Sequence, residues 1–445
     1  MTHKGKGYTL HLGNSLEVLD TFADNSIDSI VTDPPYEIGF MGKGWDSTGI
    51  AFNVEIWKKC LRVLKPGGHL VAFNHSRMFH RMMVAIEDAG FEIRDTIMWL
   101  YGSGFPKSMN ISKSIESQIV NGSANKTEFS KLNGERLDRG NWGITKNSKE
   151  YGFRDKDYTT ETEQVDRLGK LEATTSEAKQ WEGWGTALKP AYEPIVLARK
   201  PILEQNIAQN VLKWGVGGIN IDECRVGTDG ETKGTDFFPE SSSVVAYGNG
   251  LNGNKKPQEL NMGRFPANII HDGSEEVVSG FPTKDEETLE DSPSLFFYTA
   301  KASQEDRNEG LEIAGFEEKR ESDRIKDDGV GGDNPRNRTN KPRLNTHPTV
   351  KPTDLMRYLV RLITPNGGTC LDLFMGSGST GKALVLENAH NNKNYHFIGI
   401  DMTKEYVEIA KARIEYAINN PFNEAKVVEV DGNKVLDKPI SLFDD

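Results

Sequence analysis

Cysteine is scarce in this chain: Cys60, Cys224 and Cys370 are all it has, odd in number and far apart. That excludes a disulfide framework and a thiolate zinc centre, and the expectation is buried, reduced thiols and no metal site. No run of residues is long and apolar enough to cross a bilayer, and no basic-then-apolar leader stands at the start. The expectation is a soluble, cytoplasmic protein with no membrane partner. Positive charge is also in deficit, 54 Lys and Arg against 66 Asp and Glu. A uniformly basic, nucleic-acid-coating surface is therefore excluded, but a local one is not. Residues 334–351 carry Arg336, Arg338, Lys341, Arg343 and Lys351 without a carboxylate among them, either a solvated loop or a phosphate-binding stripe.

What the chain does contain is an alternation of apolar runs and amphipathic stretches, concentrated at its two ends. The run 27–31 rises into Asp33-Pro34-Pro35, and proline cannot donate to a sheet ladder, so a strand must stop there. Phe52, Ile56, Cys60 and Leu64 recur at helical spacing until Pro66-Gly67-Gly68, expected to end that helix ahead of a strand over 69–73. Phe79, Met82, Met83 and Ile86 mark another helix, stopped by Gly90, and 91–100 reads as a strand. The pattern resumes with a helix through Leu355, Leu359, Leu362 and Ile363, a strand over 369–374, a helix over 378–389 and a strand over 396–400. A last helix carries Tyr406, Ile409, Arg413, Ile414 and Ala417.

Strands alternating with helices of this length predict an α/β fold with a doubly wound, mostly parallel sheet. Neither end has enough strands alone. The expected domain therefore joins residues 1–115 to 345–425 around an insertion over 116–344, with a tail over 426–445. Within the insertion, 116–180 is polar and reads as flexible. Aromatic and aliphatic residues return over 181–221 and 265–298, and Trp181, Trp184 and Trp214 are read as core packing rather than as wedges or stacking platforms.

Two loops carry chemistry. Asp33-Pro34-Pro35-Tyr36 follows one apolar run and Leu371-Asp372-Leu373-Phe374-Met375-Gly376-Ser377-Gly378-Ser379-Thr380 follows another; loops at the ends of buried parallel strands face one crevice. The exocyclic amino group of a nucleobase is a poor nucleophile, and acceptors for its two hydrogens draw it toward tetrahedral geometry. Ionised Asp33 accepts one, and the stiff Pro34-Pro35 backbone offers the Pro34 carbonyl for the other. Tyr36 supplies a flat face for an extruded base, worth about 1–3 kcal/mol. Gly376 and Gly378 permit close backbone approach to a ligand, and Asp401 follows the next strand where an acceptor meets ribose hydroxyls. That spacing leaves adenosylmethionine and a nicotinamide cofactor both open, while the absence of Gly-Lys-Ser/Thr after the glycines disfavours a phosphate-cradling loop.

Together these residues resemble the DNA amino-methyltransferases that modify adenine or cytosine. Asp33 to Tyr36 resembles their catalytic motif, 371–380 their cofactor motif, and His347-Pro348-Thr349-Val350-Lys351-Pro352 the segment that holds the cofactor's methionine end. Leu12-Gly13-Asn14-Ser15-Leu16 is similar to the motif that contacts the cofactor's adenine, with Asn14 where the family usually has Asp. The catalytic motif comes first in the chain, which resembles the beta group, where a target-recognition region lies between two halves. Gly183 to Pro190 and Arg264 to Asn268 resemble stretches of bacterial and phage members.

The resemblance implies a Rossmann-like methyltransferase fold and S-adenosyl-L-methionine bound through Asn14, Thr349, Lys351, Asp372, Phe374, Gly376, Gly378 and Asp401. The implied substrate is double-stranded DNA with the target base flipped out. Phosphate contacts are then expected from Lys107, Lys113, Arg336, Arg338, Lys341 and Arg343. The expected reaction is methylation of the adenine 6-amino group; the cytosine 4-amino group is the alternative, and an RNA or protein-glutamine methyltransferase a second one. A cognate restriction endonuclease and a second copy of the chain are partners the resemblance admits. No carboxylate-carboxylate-lysine cluster for an attached nuclease stands out.

Overall fold

The computed structural model describes residues 1–39, 44–102, 104, 108–121, 173–226, 265–274, 277, 297–298, 302–318, 344–422, 427–430 and 433–436. In chain order, β1 (Thr2–Gly5), β2 (Tyr8–Leu12), α1 (Ser15–Asp20), β3 (Ile27–Thr32), α2 (Val54–Val63), β4 (Leu64–Phe73), α3 (Phe79–Asp88) and β5 (Glu92–Leu100) come first. Then follow α4 (Ile111–Asn121), α5 (Ser176–Lys179), β6 (Tyr192–Arg199), α6 (Ile207–Trp214), β7 (Ile269–His271), β8 (Phe297–Tyr298) and α7 (Gln304–Asn308). The last described elements that bear on the site are α8 (Thr353–Ile363), β9 (Thr369–Asp372), α9 (Ser379–His390), β10 (His396–Asp401) and α10 (Lys404–Asn419).

One sheet holds strands in the order β1-β2-β10-β9-β3-β4-β6-β5-β7-β8. From β2 to β4 every neighbour is parallel, and β5, β7 and β8 are parallel among themselves; β6 runs against both its neighbours and β1 against β2. The chain winds outward from β3 to β4 through α2, and in the opposite direction from β9 to β10 through α9. The reversal falls between β3 and β9, where an open α/β sheet leaves a crevice beyond its strand ends.

Alternation along the strands feeds two cores. Val31, Val71, Phe73, Ile195, Leu197 and Cys370 enter the one shared with α8, α9 and α10. Ile30, Leu70, Ala72, Val196, Ala198 and Leu371 enter the other, with α1, α2 and α3. A residue displaced by one position would trade faces, so burial on both sides fixes the register. All three cysteines are free and buried in these layers.

Three expectations are corrected here. The helix through Ile56 and Cys60 does not run to Pro66: it ends at Val63, and Leu64 already pairs with Ile27, so Pro66-Gly67-Gly68 lies inside β4. The turn is clasped there, Lys200 exchanging backbone hydrogen bonds with Gly67 and Gly68 while Asn210 donates to the Pro66 carbonyl at 2.8 Å. Second, residues 192–199, placed by sequence within the insertion, form β6 between β4 and β5. The run Ile195–Ala198 is apolar on both faces, and only a covered sheet buries it. Third, Trp181 and Trp184 are not core: they are 39% and 60% exposed and meet edge to face at 5.2 Å. Trp214 is half-buried.

The chain divides into two compact units, residues 1–102 with 192–445, and 103–191. Within the second, the Glu116 carboxylate on α4 accepts from the hydroxyls of Thr174 and Thr175 and from the Thr175 N–H, tying that helix to the start of α5. Among the described residues no helix is long and apolar enough to cross a membrane, and no His, Cys, Asp and Glu group could hold a metal.

Candidate active site

The β3 and β9 rims are locked together by one carboxylate. Asp372, 2% exposed, accepts from the Thr32 hydroxyl at 2.7 Å, the Phe374 N–H at 3.1 Å and the Thr380 hydroxyl at 2.6 Å. Burial pushes its carboxyl up to about 7, opposed by those three hydrogen bonds. Expected as a cofactor contact, Asp372 is placed as the tie between the catalytic loop, the cofactor loop and α9. Asp372→Ala strands two hydroxyls and an N–H, so it is expected to lower stability by about 2–4 kcal/mol in urea denaturation. A loss under about 1 kcal/mol would mean the three groups find other partners.

Asp33 follows Thr32 directly and sits at the reversal point. Its side chain is 18% exposed; Oδ2 receives the Lys351 ammonium at 2.6 Å, while Oδ1 is buried with no hydrogen-bond partner. Burial raises its pKa, the Lys351 charge and hydrogen bond pull it back, and the net shift is upward. A buried, unpaired carboxylate oxygen is costly, which makes Oδ1 a ready acceptor for a ligand N–H. Pro34 is buried and Pro35 half-buried, fixing the backbone beyond Asp33.

The Tyr36 hydroxyl donates to Glu193 Oε2 at 2.8 Å and accepts from Lys351 at 2.9 Å. One ring face lies near the ammonium, 5.1 Å from its centroid, and His75 is tilted against the ring at 6.4 Å. The hydroxyl is held well above its ordinary pKa, by burial first and then by the charges of Asp33 and Glu193, and stays protonated.

A single segment, 345–352, spans the two loops. Lys351 near its end touches Asp33, and His347 near its start closes on the glycine loop: a Cβ on Gly376 would lie 2.6 Å from His347 Nε2. His347 also packs edge to face on Tyr406 at 4.6 Å. Burial, with the charges of Lys351 and Arg307, lowers its pKa to about 3 and keeps the ring neutral. Thr349 is half-buried between them.

On the cofactor side, Gly376 adopts φ +48° and donates its N–H to Asp401 Oδ2 at 3.0 Å. Asp401 Oδ1 accepts from the Thr403 N–H at 2.7 Å, and burial outweighs both bonds in pushing the carboxyl up to about 6. Gly378, at φ +75°, opens α9 without a side-chain cap, and Phe374 packs half-buried against the second core. Asn14 is exposed, and its side chain accepts from the Leu16 N–H as the cap of α1. Behind the loop, Arg413 is fully buried and donates to the Ser377 carbonyl at 2.7 Å and the Asp306 carbonyl at 2.8 Å. Lys382 donates to Asp306 at 2.8 Å.

The structure thus brings together Asp33 to Tyr36, Lys351, Asp372, Phe374, Gly376, Gly378 and Asp401. Lys113 lies on α4 in the second unit and is half-buried. Lys107, Arg336, Arg338, Lys341 and Arg343 lie outside the described residues. Sequence reasoning missed Glu193, Asp306 and Lys382, and read Arg413 only as part of a helix face. The available signal for Glu193 was a carboxylate at the head of an otherwise apolar strand.

The family model of the N6 and N4 methylases, described as DNA methylase, matches residues 27–412. Among curated relatives, the Type II methyltransferase M.HpaI of Haemophilus parainfluenzae is 32% identical over 108 residues, 22% of this chain and 33% of its own length. The Type II methyltransferase M2.DpnII of Streptococcus pneumoniae is 41% identical over 69 residues, 16% of this chain and 24% of its own. The chain thus spans a third or less of the length of these relatives. Solved structures of similar course include the M1.HpyAVI–SAM complex, at TM-score 0.37 and 16% identity, covering 92% of this chain and 98% of that one. The PvuII cytosine-N4-specific DNA methyltransferase aligns at TM-score 0.39 and 14% identity, covering 95% and 97%. With most of its length matched by one family and the catalytic motif ahead of the glycine loop, the chain belongs to the beta-group DNA amino-methyltransferases, the family of N6-adenine and N4-cytosine methylases.

Proposed function

We propose that this protein transfers a methyl group from S-adenosyl-L-methionine to the 6-amino group of an adenine flipped out of double-stranded DNA. The observation that carries the reading is the buried, unpartnered Asp33 Oδ1 at the sheet's reversal point, on the loop that 345–352 links to Gly376. An acceptor without a donor fits an exocyclic N–H. A base inside a duplex cannot reach such a crevice, and extrusion costs about a few kcal/mol.

The cofactor side suits the proposed donor molecule. Asp401 is an acceptor for ribose hydroxyls, and the uncapped start of α9 presents N–H groups to a carboxylate. When bound, S-adenosyl-L-methionine supplies a methyl group on a sulfonium sulfur. The chain's own contribution is to orient the amino group: Asp33 Oδ1 takes one hydrogen, the Pro34 carbonyl the other, and the Tyr36 ring stacks on the base. Positioning of this kind does most of the work in an in-line displacement.

Asp at the head of the catalytic motif favours adenine over the cytosine 4-amino group. Sequencing modified bases in DNA from cells expressing the protein, beside cells expressing Asp33→Ala, is expected to find methyladenine at a recurring site in the first alone. Methylcytosine alone would move the assignment to cytosine. The basic stretch is assigned to the DNA backbone: replacing Arg336, Arg338 and Arg343 together is expected to weaken DNA binding and flatten its salt dependence. An unaltered salt slope would mean that they touch no phosphate.

A further inference from the structure

One ammonium and two carboxylates meet at the catalytic loop. Lys351 Nζ, on a side chain 9% exposed, has three partners for its three protons: Asp33 Oδ2 at 2.6 Å, the Tyr36 hydroxyl at 2.9 Å and Glu193 Oε2 at 3.5 Å. Its position is further limited by the Phe73 ring, 4.9 Å away. The resemblance to known methylases put Lys351 with the cofactor; its ammonium instead faces the residue that would hold the target. Glu193 comes from β6, the strand inserted antiparallel between β4 and β5, and also takes the Tyr36 proton at 2.8 Å.

Resting on the function proposed above, we propose that Lys351 and Glu193 are positioning residues for the transfer. Lys351 pins one oxygen of Asp33 and holds the carboxylate ionised, leaving Oδ1 as the open acceptor, while Glu193 anchors Lys351 and the Tyr36 hydroxyl. The two charges act on Asp33 with opposite sign. Without the ammonium, burial and Glu193 together drive Asp33 toward the neutral acid, which keeps a proton where an acceptor is needed. Without Glu193, the ammonium acts on Asp33 against burial alone.

The other groups around Asp33 do not supply this balance. Tyr36 remains a phenol, and its hydroxyl lowers Asp33 by less than the Lys351 charge and hydrogen bond do. Asp372, on neighbouring β9, is pushed up to about 7 by burial and is bonded to Thr32, Phe374 and Thr380. His347, on the same segment as Lys351, is neutral above about 3. His75 packs on Tyr36, and Tyr101, facing Glu193, is raised by burial and by that charge and stays protonated. Lys351 is the cation whose hydrogen bond and charge lower Asp33.

The test is a carboxyl carbon-13 NMR titration of Asp33 in the full ligand-free chain, labelled at aspartate and assigned with Asp33→Asn. It is paired with the pH profile of single-turnover methylation of unmodified genomic DNA. Lys351→Met is expected to move the Asp33 midpoint upward by about one unit or more and the acid limb of the rate profile with it, so that the rate lost below the new midpoint returns at higher pH. Lys351→Arg is expected to restore most of the rate and the wild-type midpoint. Glu193→Gln is expected to move the midpoint downward and to slow transfer across all pH, with S-adenosyl-L-methionine affinity by calorimetry unchanged. Midpoints that stay put, or that move the same way in both variants, would overturn the proposal even if rates fall. Absence of methylation by the wild-type chain would refute the function instead, and the titration would still decide the charge arrangement.

Discussion

Asp33→Ala is expected to slow methyl transfer by about 10²–10⁴-fold, the range typical of losing a positioned acid–base group, with the affinity for S-adenosyl-L-methionine unchanged. The separation follows from where the side chain points. Its two oxygens are divided between Lys351 and an open position, and neither bonds to the glycine loop. Removing the carboxylate also leaves the Lys351 ammonium with Glu193 as its remaining carboxylate partner, so Asp33→Asn, which keeps the shape, is the cleaner companion. Single-turnover labelling measures the first quantity and titration calorimetry the second. A parallel loss of cofactor affinity would place Asp33 in the cofactor pocket and contradict its assignment to the target.

Gly376→Val is expected to do the reverse, lowering cofactor affinity by about ten- to a hundredfold, the equivalent of about 1–3 kcal/mol of backbone strain. Two features set this. The residue sits at φ +48°, which a β-branched side chain scarcely tolerates, and its Cβ would lie 2.6 Å from His347 Nε2. His347 has no easy retreat, because its ring is packed on Tyr406. The loop must therefore shift, taking with it the Gly376 N–H that now bonds Asp401. The damage enters through the wall behind the loop and spreads to the acceptor expected to meet ribose. Calorimetry with S-adenosyl-L-methionine on a folded variant checks this; unchanged affinity would mean the loop is not where the cofactor lies.

The strands nearest the site were legible because local chemistry dictates them. Ile27, Ile30 and Val31 have nowhere to go but a two-faced sheet, and Pro34-Pro35 must end it. The same holds for β9 and β10, each closed by glycine or aspartate. What local pattern could not reveal was adjacency. Nothing in the apolar run Ile195–Ala198 says that it inserts between two strands far earlier in the chain, and so Glu193 had no visible link to Tyr36. Lys351 was found by its motif, but a motif does not state which way a four-carbon side chain turns. Trp181 and Trp184 mislead for a similar reason: an aromatic ring signals packing only when a partner layer covers it, and here they pack on each other in the open. Asn14 and Asp372 show the opposite limit, polar residues at motif positions whose hydrogen bonds are taken up by a helix cap and by an inter-strand tie.

The most direct test is product analysis with purified protein. Unmodified double-stranded DNA is incubated with S-adenosyl-L-methionine labelled in its methyl group, digested to nucleosides and separated. The account predicts label in 6-methyladenine for the wild-type chain and, over the same short incubation, about a hundredth as much or less for Asp33→Ala. Label that follows RNA or protein and never DNA would contradict it.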